Sequence, residues 1–362
     1  MKAFFCNYKF YSSLGVVLTL NAWVLLVSTA AMGQNFTLGG TSRSNLEQQL
    51  DIPLNNGIQG EDRDKADTLM RLGGQAQRSG NFESAIANWL QALNLYQKVG
   101  DIEAMGVTYD YLGVTYAKLG RFQQAEDSLR RRLGIARSRQ DFTGEIYGLN
   151  NIGTVLLQAG NFEAARDSFI EALKITRSIK NQQGEGLSLS NLGLAAATAG
   201  SYPEAIKYYQ AALSLRSFSG NSLGEANTRN NLGDAYRATN VPKEALFSYQ
   251  SALSLAQISN DIPSQFRALR GLGQSYTTMR QYGEALRVLE QHLSLAQREK
   301  NRNEELLSLR LAARAYQGTG NLANARIFYE RAISLAGALG NSEEEAFLRN
   351  DLAQIIYYRR AN

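Results

Sequence analysis

A Leu-Gly or Ile-Gly pair recurs every forty residues through this chain, and no other feature restricts its fold as sharply. The glycines stand at Gly73, Gly113, Gly153, Gly193, Gly233 and Gly273, with Ala313 in the seventh slot. Twelve residues after each comes an alanine: Ala85, Ala125, Ala165, Ala205, Ala245, Ala285 and Ala325. A fixed period of this size marks a solenoid. Each unit is a helix pair that cannot bury its apolar face alone, and stacking supplies the missing neighbour. A length of 362 residues would otherwise suggest two or three globular domains. A continuous array instead makes stability a sum over neighbouring units.

Residues 146–185 illustrate one unit. Leu149, Ile152, Gly153 and Leu156 follow the i, i+3, i+4, i+7 spacing of one helix face. Gly160-Asn161 breaks the helix, and Phe162 is placed to pack beneath the turn. Ala165, Phe169, Ala172, Leu173 and Ile175 form the stripe of a second helix, which ends near Asn181-Gln182-Gln183-Gly184. A glycine inside a helix costs about 1 kcal/mol relative to alanine. Close helix approach is the compensating reason, since the second helix holds a large residue at the matching slot: Trp89, Leu129, Phe169, Tyr209, Tyr249, Leu289 and Tyr329.

Asn151-Ile152-Gly153 followed by Phe162, Ala165, Phe169 and Ala172 resembles the tetratricopeptide repeat, and the likeness runs over about residues 63–345. The resemblance implies an all-α, right-handed α-solenoid of about seven helix hairpins. Units start near residues 66, 106, 146, 186, 226, 266 and 306 within 61–345, and residues 346–362 form a capping helix. The closing proline of the common repeat is missing, and the unit is forty residues long rather than thirty-four. The surplus is expected between units, as at Gly100-Asp101, which is similar to the long-helix repeats of kinesin light chains and Pins-type regulators.

The first 33 residues have another character. Lys2 and Lys9 precede an apolar run over 14–27, and small residues lead to Ala31-Met32-Gly33. That order predicts a signal peptide cleaved before Gln34, with Met32 as the alternative start. The other reading is an uncleaved anchor, although a span needs about 20 apolar residues. Export to the periplasm or outside the cell follows from the first reading, and residues 34–60, rich in Asn, Gly, Gln and Ser, then form a flexible linker. The single cysteine, Cys6, would leave with the signal. The mature chain would therefore lack disulfides and thiolate metal sites. Loss of Lys2 and Lys9 lowers the net charge from +5 to +3, too mild a balance for nucleic acid. Asn35-Phe36-Thr37 is a glycosylation sequon, relevant only in a host that glycosylates exported proteins.

No catalytic apparatus is expected. His292 is the lone histidine and occupies a slot held by alanine at Ala92, Ala172, Ala212, Ala252 and Ala332; Arg132 is a similar exception. A histidine nucleophile system would depend wholly on His292, whereas a larger side chain tolerated at a helix contact explains it without chemistry. The chain has no metal-ligand spacing, phosphate loop or dinucleotide fingerprint, so no cofactor is expected.

A second stripe on the first helices is the candidate binding surface. It comprises Tyr147, Asn150, Asn151 and Thr154, then Asn191, then Asn227, Asn230, Asn231 and Asp234. Farther on it turns basic, with Arg267, Arg270, Gln274, Arg310 and Arg314. Asparagine is a poor helix former, so its pairing in mid-helix calls for another reason. A carboxamide complements the backbone of an extended peptide. By the resemblance, Asn151, Asn191 and Asn231 match the helix position that contacts peptides in a concave groove. The competing reading is an amide ladder joining adjacent first helices. For the arginines, an acidic peptide competes with intramolecular partners such as Glu304 and Glu305.

The expected function is an exported scaffold that binds a protein or an extended, partly acidic peptide. Two alternatives stand beside it: an envelope assembly or anchoring factor using its convex or terminal surfaces, and the sensor subunit of a separate signalling enzyme. Contact with a membrane is expected only through an uncleaved signal segment.

Overall fold

The computed structural model describes residues 60–219 and 222–361, and the expected export signal and residues 34–59 of the tether lie outside them. The described residues form fifteen α-helices without a strand. The first five are α1 (Glu61–Arg78), α2 (Phe82–Val99), α3 (Ile102–Lys118), α4 (Phe122–Ser138) and α5 (Phe142–Gln158). Next come α6 (Phe162–Ser178), α7 (Gln182–Thr198), α8 (Tyr202–Ser219), α9 (Ser222–Ala238) and α10 (Pro242–Ile258). The last are α11 (Ile262–Thr278), α12 (Tyr282–Arg298), α13 (Arg302–Gly318), α14 (Leu322–Ala338) and α15 (Ser342–Ala361). Each helix packs on the next, so odd and even helices pair as consecutive hairpins of an α-solenoid.

The sequence places the residues beyond the usual thirty-four between units, but they do not sit there. Turns of two or three residues join helices both within and between hairpins, and the extra length lies in helices of mostly seventeen residues. The first helices also open four or five residues before the expected unit starts. Their capping residues explain this: the Asp101, Asp141 and Asn181 side chains accept the N–H of Ala104, Gly144 and Gly184 at 2.8–3.0 Å, which starts each helix at the following residue.

Underneath the forty-residue period lies a backbone period of twenty. Positive φ recurs at each twentieth described residue from Gly60 to Gly340, and from Gly80 onward it closes the preceding helix in the left-handed conformation. Glycine occupies eight of these positions, while Gln140, Lys180, Asn240, Asn260, Arg280 and Lys300 adopt it with a side chain. The residue that follows serves two helices. Asn81 donates its N–H to the Ala76 carbonyl at 2.8 Å, ending α1, and its side chain accepts the Ser84 N–H at 3.2 Å, opening α2.

The glycine slots perform the close approach expected of them. A Cβ on Gly153 would lie 2.5 Å from the Phe169 ring, and one on Gly73 would lie 2.2 Å from Trp89. Trp89, Phe169, Tyr209, Tyr249, Leu289 and Tyr329 are all almost wholly buried. Phe162, by contrast, is 43% exposed and starts α6 instead of packing beneath a turn.

Candidate functional site

From α5 to α13 each first helix packs against the next first helix as well as against its own partner, so these helices form one continuous wall. α1 and α3 carry the same register and are joined by the Gln77–Thr115 hydrogen bond at 3.2 Å. Beyond the first turn of α5, only Tyr147, Asn151, Thr154 and Gln158 remain partly exposed, at i, i+4, i+7 and i+11. The same register gives Val107, Tyr111 and Val114 on α3, and Leu187, Asn191 and Leu194 on α7, all half-buried. On α9 it gives Asn227, Asn231 and Asp234.

Asn150 and Asn230 do not belong to this surface. They are 2% and 0% exposed, because one residue of helical rotation turns them from the wall into the seam between first helices. Asn150 Nδ2 donates to Ser188 Oγ of α7 at 3.0 Å and to the Ile146 carbonyl at 2.8 Å, while its Oδ1 accepts from Asn191 Nδ2 at 2.8 Å. Asn230 Nδ2 donates to the Ser264 carbonyl of α11 at 3.2 Å. Asn227 Oδ1 accepts from Ser264 Oγ at 3.1 Å. The amide-ladder reading therefore holds for Asn150 and Asn230, and Asn191 and Asn227 share in the ladder from the wall. Asn151 makes no side-chain hydrogen bond among the described residues.

The basic stripe is engaged from within. Arg267 Nη2 donates to Asn231 Oδ1 at 2.7 Å and Asp234 Oδ2 at 3.0 Å, and the Tyr249 hydroxyl donates to Asp234 Oδ1 at 2.6 Å. Tyr249 reaches the wall because Gly271 leaves room: a Cβ there would lie 2.4 Å from its ring. Arg310 Nη1 donates to both Glu344 oxygens at 2.8 and 3.0 Å, and Arg314 donates to Asp351 at 3.3 Å. Arg270 Nη1 stands 4.0 Å from Glu304 Oε1. The expected acidic-peptide patch of Arg267, Arg270, Arg310 and Arg314 is thus a set of internal pairs, each answered by an acid within the array. Gln274 lies between them, partly exposed.

His292 is wholly buried between α12 and α13. Its Nδ1 shares a hydrogen bond with Ser308 Oγ, its Nε2 lies 3.3 Å from Glu304 Oε2, and the Phe266 ring meets it edge-on at 5.2 Å. Serine, histidine and carboxylate make up the composition of a nucleophilic triad. Ser308, however, is also wholly buried and donates to the Glu304 carbonyl at 2.7 Å. Burial would raise the Glu304 carboxyl, but the His292 hydrogen bond and the Arg270 charge outweigh it and hold it below its ordinary range. Arg132, the other exception to the alanine slot, pairs its Nε with Asp110 Oδ2 at 3.0 Å. Burial pushes the Asp110 carboxyl up to about 6, since Arg132 offsets only part of the desolvation. No cluster of His, Cys, Asp or Glu among the described residues is arranged to hold a metal ion. No described helix is long and apolar enough to cross a membrane.

Sequence reasoning passed over the apolar half of the wall: Val107, Tyr111, Val114, Leu187 and Leu194. It also passed over Arg71 and Arg78, which hold the same register on α1 and are exposed. The signal was available. Subtracting forty from Asn151 gives Tyr111 and then Arg71, whereas the asparagine and arginine pairs cluster toward the C-terminus.

Comparisons with known proteins agree with this architecture. The chain is similar in fold to the apo form of RapI, at 16% identity and a TM-score of 0.56, over 76% of this chain and 99% of that one. A signal transduction ATPase with numerous domains and a tetratricopeptide repeat sensor, from Pyrococcus horikoshii, matches at 18% identity and a TM-score of 0.58. That match covers 79% of this chain and 44% of the other. A Rap protein complexed with competence and sporulation factor matches at 12% identity and a TM-score of 0.51, over 82% of this chain and 97% of that one. No curated protein matches in sequence. The family model for the tetratricopeptide repeat matches residues 64–138, 145–217, 186–258 and 264–338. With helix pairs, glycine slots and wall all in one register, the chain belongs to the tetratricopeptide repeat family.

Proposed function

We propose that this protein is an exported scaffold whose inner wall binds a protein segment in extended form. One observation carries the reading. Along α3, α5 and α7 the wall offers half-buried apolar and aromatic side chains around Asn151, whose carboxamide has no partner among the described residues. A carboxamide in mid-helix with both its donors and its acceptor unspent suits a peptide backbone laid across it. Half-buried apolar groups around it supply area that a ligand would remove from water. A Rap protein similar in fold is complexed with competence and sporulation factor, a precedent for a bound partner on this architecture. Binding without catalysis fits the sealed surroundings of His292, where no substrate reaches the imidazole or Ser308. Export rests on the charged, apolar and small-residue order of residues 1–33.

Affinity capture from the source cell tests the binding role. The mature chain should retain a protein that the Asn151→Ala, Leu187→Ala double variant loses. Equal capture by both would move the interaction off the wall. Sequencing of exported material should begin at Gln34 or Met32; Met1 retained would favour the anchored form.

A further inference from the structure

Six arginines lie along the wall or its seam, and they divide into two groups. Arg267, Arg270, Arg310 and Arg314 face internal acids at 2.8–4.0 Å. Arg71 and Arg78, at the opposite end, are exposed and form no ion pair among the described residues. They sit two turns apart on one face of α1, with Gly74 between them. The Arg78 Nη1 lies 3.5 Å from where a Gly74 Cβ would stand, so the guanidinium lies back over α1 at ordinary contact distance from Gly74. Asp67, one turn before Arg71, is already engaged by Arg63 and by the Tyr96 hydroxyl. The unspent positive charge of the wall is therefore at its N-terminal end, next to the apolar stretch.

Spacing adds a second constraint. Successive first helices touch through the Asn150–Ser188 and Ser190–Thr228 hydrogen bonds, and packed helices lie about 8–10 Å apart. A β-strand returns a side chain to one face every ~6.7 Å and falls out of step with such a row. A polyproline II segment returns one every third residue, about 9.3 Å, and stays in step. The row Val107, Tyr147 and Leu187 offers one partly exposed apolar or aromatic side chain per unit.

We infer that the wall selects a peptide in polyproline II form, with an apolar residue at every third position and an acidic group at the end resting on Arg71 and Arg78. The inference rests on the wall being the binding surface, and it adds the ligand's conformation, phase and polarity.

Fluorescent synthetic peptides of about twelve residues test it, the length being four polyproline turns. One set carries Leu at every third position among Pro and Ser, with an Asp pair at one end, made in both orientations. Controls place Leu at every second position, or replace the Asp pair with Asn. Titration of the mature chain by fluorescence anisotropy should favour one acidic, third-position peptide by about tenfold over each control. Arg71→Gln with Arg78→Gln should remove about tenfold for the acidic peptide, roughly one charge-assisted bond, and leave the Asn peptide unchanged. Raised salt should erase that difference. Binding of all phases alike, indifferent to the arginine variants but lost in Leu187→Ala, would overturn this inference and leave the wall as a general peptide site. Absence of binding by every peptide, together with capture that survives the Asn151 and Leu187 variants, would overturn both.

Discussion

Along α3, α5 and α7 the wall positions carry uncharged valine, tyrosine, leucine and asparagine, with Tyr111 stacked on Trp89 and Asn191 bonded to Asn150. Along α9, α11 and α13 the same face carries Asn231, Asp234, Arg267 and Arg314, and its charges are met by acids on neighbouring first helices or by Tyr249 from a second helix. Both halves share one backbone and one glycine slot, so fold does not explain the contrast. A side chain already committed to its neighbour is costly to recruit for a ligand, because one partner of a desolvated bond must be released. On the proposed reading, shared geometry leaves the N-terminal half for a partner, while in the C-terminal half the same face serves internal cohesion.

The largest expected effect tests what the halves share. Gly153→Leu should lower stability by about 3 kcal/mol, since even a Cβ would lie 2.5 Å from Phe169. Gly273→Leu against Leu289 should do the same. An unchanged thermal melt for either would mean that the two halves are not built on one packing rule.

Acidity should act with opposite sign on the two halves. Asp110 has a raised carboxyl, so its contribution is fully present below about pH 4 and is lost as pH rises through about 6, a change of about 3 kcal/mol. Asp110→Asn should remove that dependence. Glu304 has a lowered carboxyl, so its contribution is present above about pH 4.5 and is lost as pH falls further. Chemical denaturation of Asp110→Asn, Glu304→Gln and the parent protein across pH 3–8 reads both. The same sign of change at both sites would dissolve the contrast.

The wall of the C-terminal half should weaken by about 1–2 kcal/mol in Tyr249→Phe, which removes a 2.6 Å bond to Asp234. Tyr209→Phe, in the same slot one unit earlier and without such a bond among the described residues, should cost much less. Equal losses in urea melts would show that Tyr249 acts by packing and not through the wall.

These differences were only partly legible in the sequence. The forty-residue register announced the helix pairs and the glycine contacts, because packing against a fixed neighbour repeats whenever the residue repeats. Pairing across units was harder to read. Arg310 and Glu344 are thirty-four residues apart, and only the stacking of α13 on α15 brings them within 2.8 Å. Asn150 and Asn151 differ by one step of helical rotation, and that step decides between seam and wall. Unit boundaries were read late because a capping Asp or Asn is a single residue, whereas the apolar stripe that draws attention begins a turn later.

The smallest expected effect concerns the turns. Arg280→Gly and Lys300→Gly relieve left-handed conformations at φ 58 and 53 and should each add about 1 kcal/mol. Gly120→Ala, at φ 72, should subtract a similar amount. Neutral melts for all three would mean that local side-chain contacts already compensate for the backbone.

The twenty-residue closure has a consequence for how such a chain can change length. Asn181 ends α6 through its N–H and opens α7 through its side chain, and Asp141 holds the same dual position at its own turn. A cut at either residue falls between two complete helices. Joining one to its counterpart forty residues away excises a whole hairpin without shifting a cap, a glycine slot or a wall position. Gene duplication or deletion in multiples of that length would therefore pass unnoticed by the backbone and be felt only as a longer or shorter row of contacts. Under the proposed function, the reach along an extended partner is in that sense an inheritable quantity that varies in whole steps.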